Sequence, residues 1–169
     1  MGPHGLGCAV RFFQIGYVTH NVEQAISAMF GADAISSFLI LDVARGRDDP
    51  EIIFNRIALS FRGDLNIEFI EPTQRPEGIF TPALSTSPQS PSTFHHFGYL
   101  LDDEADWDRI EQEARSGGAL ALGVHTPGMM RYMYVDRRPD LGHYAEYIWL
   151  EEGGHAMFEK VPRVSGAAV

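Results

Sequence analysis

Several things are scarce or missing in this chain, and each absence removes a class of function. Cys8 is its one cysteine, so no internal disulfide framework can form and a reducing cytoplasm fits. Cys8 stands in a Gly-rich leader with no base beside it, and reads as a small apolar residue near a loose terminus rather than a nucleophile. No apolar run approaches the ~20 residues that span a bilayer. The start, MGPHGLGCAVRFF, lacks the charged head and apolar core of a signal peptide. Positive charge is also short. Against 23 acidic residues stand 13 basic ones, giving a formal charge of −10. No Lys/Arg run offsets that balance, so a phosphate backbone is repelled and nucleic-acid binding is disfavoured. Ser-His-Asp and Cys-His signatures, a G-x-S-x-G elbow, a Walker loop and G-x-G-x-x-G are all missing, which leaves nucleophilic and nucleotide chemistry without support.

What the chain does have is a normal globular composition, 44% hydrophobic in 169 residues, enough for one domain or two small modules sharing a core. Residues 12–18 (FFQIGYV) are aromatic and β-branched and read as a strand. Asn21 then caps a short amphipathic helix with Val22, Ala25, Ile26 and Met29 on one face, ended by Gly31. Residues 35–44 predict a strand, RGRDDPE a turn, and 52–61 and 65–71 two strands joined by a tight turn at Arg62-Gly63-Asp64. Residues 72–93 carry five prolines and little periodicity, and are expected to cover a pocket mouth or wrap a neighbouring subunit. The pattern then restarts: a strand at 95–101, an acid-capped helix in DDEADWDRIEQEARSGG, and strands at 119–124, 130–135 and 142–150. A last helical turn is expected around HAMFEKV. The reading is α+β, with two paired βαβββ modules forming a cupped mixed sheet: the first at 12–71, a connecting loop at 72–93, the second at 94–152, and a tail at 153–169.

The duplication can be tested against itself. FFQIGYVT and FHHFGYLL each place a metal-capable side chain two residues before Gly-Tyr: Gln14 and His96. The fourth strands, LNIEFIE and HYAEYIW, each carry a glutamate among β-formers: Glu68 and Glu146. Gln14 and His96 are 82 positions apart and the two glutamates 78, a mismatch that a change in turn length absorbs. A carboxylate buried in such a strand needs a cation or good donors, and no Lys or Arg stands nearby in the sequence to serve. Two modules facing each other about an approximate two-fold axis would bring Gln14, Glu68, His96 and Glu146 to one divalent ion, which neutralises the two carboxylates. The O/N donor mixture suits Zn, Ni, Co, Mn or Fe(II). His95, next to His96, is expected on the opposite face of its strand. His95, His20, His125 and His143 read as surface or supporting residues, and Arg137-Arg138 as a solvated turn. Met130, Tyr132 and Tyr134 share one strand face, with core packing as the first expectation; together with Phe80 and Phe94 they are also the aromatic supply a binding protein would need.

The chain from about Phe12 to Glu152 resembles the vicinal oxygen chelate superfamily, the glyoxalase, bleomycin-resistance and ring-cleaving dioxygenase fold. FQIGYV, LNIEFIEP, FHHFGYLL and HYAEYIWL are similar to the family's ligand strands. The family's ligand positions then fall on Gln14, Glu68, His96 and Glu146, the kind of set found among glyoxalase I enzymes. IEFIEP is similar to the corresponding strand of methylmalonyl-CoA epimerases. The resemblance implies a metal-dependent isomerase, epimerase or lyase acting on a small-molecule substrate, with Glu146 and then Glu68 as the proton-transfer base, and a homodimer. The alternatives are a non-catalytic small-molecule binder of the resistance type and, disfavoured by Gln14, an Fe(II) ring-cleaving dioxygenase.

Overall fold

A computed structural model of the chain describes residues 10–44, 52–73, 78–87 and 89–165. Cys8 and the RGRDDPE turn lie outside the described residues. The first half runs β1 (Val10–Thr19), α1 (Val22–Phe30), a 3-10 segment (Ala32–Ser37), β2 (Leu39–Asp42), β3 (Phe54–Arg62) and β4 (Leu65–Pro72). The second runs β5 (Ser92–Leu101), α2 (Glu104–Ser116), β6 (Leu120–Thr126), β7 (Met130–Asp136) and β8 (Tyr144–Leu150), with a short helix α3 (Arg138–Leu141) before β8. Helix α4 (Glu152–Phe158) and a two-residue strand β9 (Arg163–Val164) follow.

The main strands form a single curled sheet in the order β2-β3-β4-β1-β5-β8-β7-β6, with β9 beside β3. Each module's first strand pairs in parallel with its fourth, β1 with β4 and β5 with β8. The modules meet along an antiparallel seam between β1 and β5. This is the expected α+β architecture, a cupped mixed sheet built from two βαβββ modules.

Local chemistry accounts for the element ends. The Asn21 side chain accepts from the Gln24 amide at 2.8 Å and starts α1, and Gly31, at φ 90°, stops it. Asp103 caps α2 by accepting from the Ala105 amide. Each helix covers one flank of the sheet: α1 buries Val22, Ala25 and Ile26 against Ala58, Ile67 and Phe69, and α2 buries Trp107 and Ile110 against Leu101 and Met133. The Gly63-Asp64 turn joins β3 to β4, with Gly63 at φ 63° as a left-handed turn requires.

One predicted element differs. Residues 35–44 are not a continuous strand, because 32–37 wind as a 3-10 turn and only Leu39–Asp42 pair with β3. Ser36 and Ser37 explain the difference: their hydroxyls donate to the Asp33 and Ala34 carbonyls three residues back, at 3.1 and 2.6 Å. Ala34 and Ile35 are thereby turned into the core under α1.

The described part of the loop after β4 does not take the first of its two expected places, over the pocket mouth. Among its described residues none lines the cavity inside the cupped sheet. Phe80 instead packs against Phe54 and Tyr134, which line that cavity, and against His95, with ring centroids 5.1, 5.2 and 4.9 Å away respectively. The segment is a buttress. Phe80→Ala should therefore cost about 3–5 kcal/mol in denaturant unfolding, the range for a buried aromatic truncated to alanine. A loss below about 1 kcal/mol would return the segment to the status of a linker.

Candidate metal centre

Register along the seam places the predicted ligands. In β1 and β4, Gln14 lies opposite Asn66 and Gly16 opposite Glu68. In β5 and β8, His96 lies opposite Tyr144 and Gly98 opposite Glu146. Across the seam Gly16 pairs with His96, and Gln14 with Gly98. The four residues therefore occupy two adjacent cross-strand rows, Glu68-Gly16-His96 and Gln14-Gly98-Glu146. Each ligand candidate on the seam faces a glycine of the other module.

Those glycines make the close approach possible. A Cβ built on Gly16 would stand 1.8 Å from the His96 ring, and one on Gly98 would stand 2.6 Å from Gln14 Oε1. The repeated Gly-Tyr pair thus has a steric cause: glycine is the residue over which the other module's ligand can lie.

Glu68, His96 and Glu146 each offer a ligand atom within 4.8 Å of the others, and all three are buried. His96 Nε2 lies 3.1 Å from Glu146 Oε2 and 3.3 Å from Glu68 Oε2. Although these are ion-pair distances, none of the three atoms has a well-directed hydrogen bond. Gln14 is buried too, lines the same cavity as Glu68 and Glu146, and its Oε1 also lacks a partner. Four of the seven buried side-chain polar atoms without a partner among the described residues thus belong to the four predicted residues. Native proteins rarely leave such atoms unpaired, because each costs on the order of 1–3 kcal/mol. Oxygen and nitrogen atoms left bare in one place fit a divalent cation.

Hydrogen bonds behind the site set the ligand orientations. The Gln14 amide nitrogen donates to Asn66 Oδ1 at 3.0 Å, so its oxygen is the atom left free. A chain of imidazoles fixes His96. His95 Nε2 sits 3.0 Å from the Ile79 carbonyl, which can only accept, so that nitrogen carries the proton. Burial, with the His96 charge second, pushes His95 down to about 3, so its ring is neutral and Nδ1 is an acceptor. His96 Nδ1, 3.1 Å away, must then donate to it. The His96 Nε2 is left to hold either a cation or a proton against two carboxylates.

Electrostatics agrees with that choice. Burial opposes a charged His96, yet the charges of Glu146 and Glu68 outweigh it and push the ring up to about 9. Burial also raises Glu68, with the neighbouring Glu146 charge adding to it against the pull of His96. The Tyr134 phenol is raised well above its ordinary value by burial, then by both carboxylates and by its hydrogen bond to Glu146, so it is a neutral donor.

The strand face expected for His95 is overturned, while its reading as a supporting residue agrees with its contact to His96. A β-bulge in the seam pairs Gly16 with His96 but Tyr17 with Phe94, leaving His95 as the extra residue. Simple alternation fails at a bulge. His95 is buried against His96, and its ring stacks on Tyr144 and Phe80. The mirrored bulge in β1, between Phe12 and Gln14, leaves Phe13 in the corresponding place. Nothing in the sequence marks a bulge, although the repeat of two large residues before each Gly-Tyr (Phe13-Gln14 and His95-His96) is a hint of one. Asn66 was the other missed contributor, and its sign was an amide two residues before Glu68, on the same face of the strand.

The remaining histidines lie elsewhere. His20 bonds the Ser85 carbonyl, His125 pairs with Glu151, and His143 contacts the Tyr144 carbonyl. Arg137 and Arg138 are held by Asp140 and Asp136. Met130, Tyr132 and Tyr134 pack into the core as expected, and they also line the cavity beside Glu146.

No family model matches this chain, and no curated protein matches it in sequence. Solved structures do. A hypothetical protein, BH1468 from Bacillus halodurans C-125, superposes with a TM-score of 0.56 at 16% identity over 85% of this chain and 96% of its own. Methylmalonyl-CoA epimerase from Mycobacterium tuberculosis gives 0.55 at 12% identity, over 86% and 91%. A variant of the Streptomyces coelicolor methylmalonyl-CoA epimerase, in complex with 2-nitronate-propionyl-CoA, gives 0.51 at 14% identity, over 83% and 96%. This chain has the vicinal oxygen chelate fold. The likeness at such low identity is one of architecture, and the site must be argued from its own residues. Among the described residues no helix is long and apolar enough to cross a membrane.

Two outcomes test the centre. Gly16→Ala should drive His96 out of place and abolish stoichiometric Zn or Ni uptake while leaving the circular dichroism of the fold in place. Full uptake by that variant would separate His96 from the ion. Binding should also release a proton. Below about pH 9 the metal-free His96 is protonated and must lose that proton to bind, so apparent affinity rises with pH and levels off above it. Calorimetry in buffers of different ionisation enthalpy reads the release directly, and no release at pH 7 would contradict the assignment.

Proposed function

We propose that this chain is a metal-dependent isomerase, epimerase or lyase of the glyoxalase type, which moves a proton next to the carbonyl of a small organic substrate. The observation carrying this reading is the pair of buried glutamates, one from each module, whose unpaired oxygens flank one imidazole nitrogen. Gln14, Glu68, His96 and Glu146 would hold the ion. A divalent ion held there supplies Lewis-acid polarisation of the carbonyl, which lowers the cost of removing the neighbouring proton.

The chain's own groups supply the rest. Glu146 is the first base: it edges the cavity, with Tyr134 directly across from it on β7. Glu68 stands on the other side of His96, from the opposite module. Raised by burial, it is suited to carry a proton and return it from its own side. Carboxylates on two sides of one reacting carbon are what an epimerisation or glyoxalase-type isomerisation needs. Architectural likeness to methylmalonyl-CoA epimerases supports the reaction class. A second reading, a binder without turnover, draws on the methionine and tyrosine wall above Glu146. Elemental analysis separates the two, since stoichiometric metal favours the enzyme.

Glu146→Gln keeps the side-chain shape and removes the base. It should slow exchange of the α-proton of a hydroxyketone with deuterium from solvent by about 10²–10⁴-fold, the usual worth of a positioned general base, with unfolding unchanged. Exchange at the wild-type rate would rule out Glu146 as the base.

A further inference from the structure

The cavity beside the four ligand candidates has a volume of about 240 Å³. That is below the ~300–1,000 Å³ of drug-sized sites. An apolar cavity of ~150 Å³ takes up benzene, so this one has room for a substituted ring or a short branched chain. Leu41, Ile57 and Leu59 from the first module and Met130, Ile148 and Met157 from beyond the seam supply hydrocarbon and thioether wall. Apart from the ligand candidates, its polar side chains are Thr126, Tyr132 and Tyr134. Both phenols are uncharged hydroxyls at neutral pH.

Among the described residues no lysine or arginine lines this space. The two carboxylates of the donor set are balanced by a divalent ion, which leaves no positive charge over. A substrate with a carboxylate or phosphate reaching the wall would bury that charge without a partner, at a cost of several kcal/mol. Arginines on the flanking strands β3 and β7 are engaged elsewhere: Arg56 is ion-paired with Glu23 and Asp42, Arg62 donates to Ser37 Oγ and lies over the Phe30 ring, and Arg131 pairs with Glu104 and stacks on Trp149. The part of a coenzyme A thioester that cannot fit inside would also lie against a protein of net charge −10.

Resting on the proton-transfer reading, we propose that the substrate is an uncharged hydroxycarbonyl or dicarbonyl compound with an apolar or aromatic body, and not a coenzyme A thioester or a peptide-thiol adduct. The carbonyl end meets the ligand side of the cavity. The hydrocarbon body lies against β2, β3, β7 and α4, where the methionines adapt to its outline.

Binding tests this without turnover. The probes are 2-hydroxyacetophenone, its 4-carboxylate and free coenzyme A, titrated calorimetrically into the zinc-loaded protein. The two ketones share the chelating end and differ only where the ring meets the wall. The neutral ketone should bind at least ten-fold tighter than the carboxylate, and coenzyme A should show no saturation in the same range. Leu41→Arg and Met157→Lys, both at half-buried wall positions, should each narrow or reverse the preference. Equal or tighter binding of the carboxylate, saturable binding of coenzyme A, or failure of the neutral ketone to bind would each overturn the proposal. A neutral preference together with an unaffected Glu146→Gln exchange rate would instead sink the catalytic reading and leave the ligand class standing.

Discussion

The constraint on which this structure turns is the convergence of buried lone pairs at the seam between its two modules. Two glutamates face one imidazole nitrogen at 3.1 and 3.3 Å, and burial removes the water that would otherwise screen them. Left alone, the cluster is repulsive. It becomes tenable once a positive charge sits among the atoms, as a proton on His96 or as a divalent ion. The neighbouring residues have arrangements consistent with that demand. Asn66 turns the Gln14 amide, Ile79 and His95 turn the His96 ring, and Tyr134 lies directly across from Glu146.

Duplication makes the convergence cheap to build. Repeating one βαβββ pattern and pairing the first strands antiparallel places each ligand candidate of one module over the glycine of the other. The copies then diverge where symmetry is not needed. At the bulged position one module has Phe13, which packs on Phe158, and the other has His95, which relays to a backbone carbonyl. The partner across from Gln14 is Asn66, and the partner across from His96 is Tyr144. An amide needs a hydrogen-bond acceptor to fix its rotation, whereas an imidazole is fixed through its second nitrogen, so the supports differ in kind.

The fold was legible because its signals are periodic and repeated. Alternation in LNIEFIE and HYAEYIW, the Asn21 cap and the two Gly-Tyr pairs all survive in the structure. The juxtaposition of Glu68, His96 and Glu146 followed from matching offsets between halves. What stayed hidden depends on departures from periodicity. A bulge inserts one residue and turns His95 inward, and hydroxyl-to-carbonyl bonds at Ser36 and Ser37 wind a segment whose composition favours a strand. Phe80 could not be placed from its neighbours in sequence, because its partners come from β3, β5 and β7.

Chemistry and selectivity occupy different parts of this sheet. The four ligand candidates sit on its central strands, β4, β1, β5 and β8, where register and glycine leave little freedom. The cavity wall comes largely from β2, β3, β7 and α4 at the flanks, where a side chain can change size or charge without disturbing the seam. An architecture shared with coenzyme A-binding epimerases therefore does not oblige this chain to share their substrate. With a divalent ion balancing the donor set, the wall would decide which molecules enter. In this chain the wall is hydrocarbon, thioether and neutral phenol, which favours a ligand that carries its only polar groups at the end facing the glutamates.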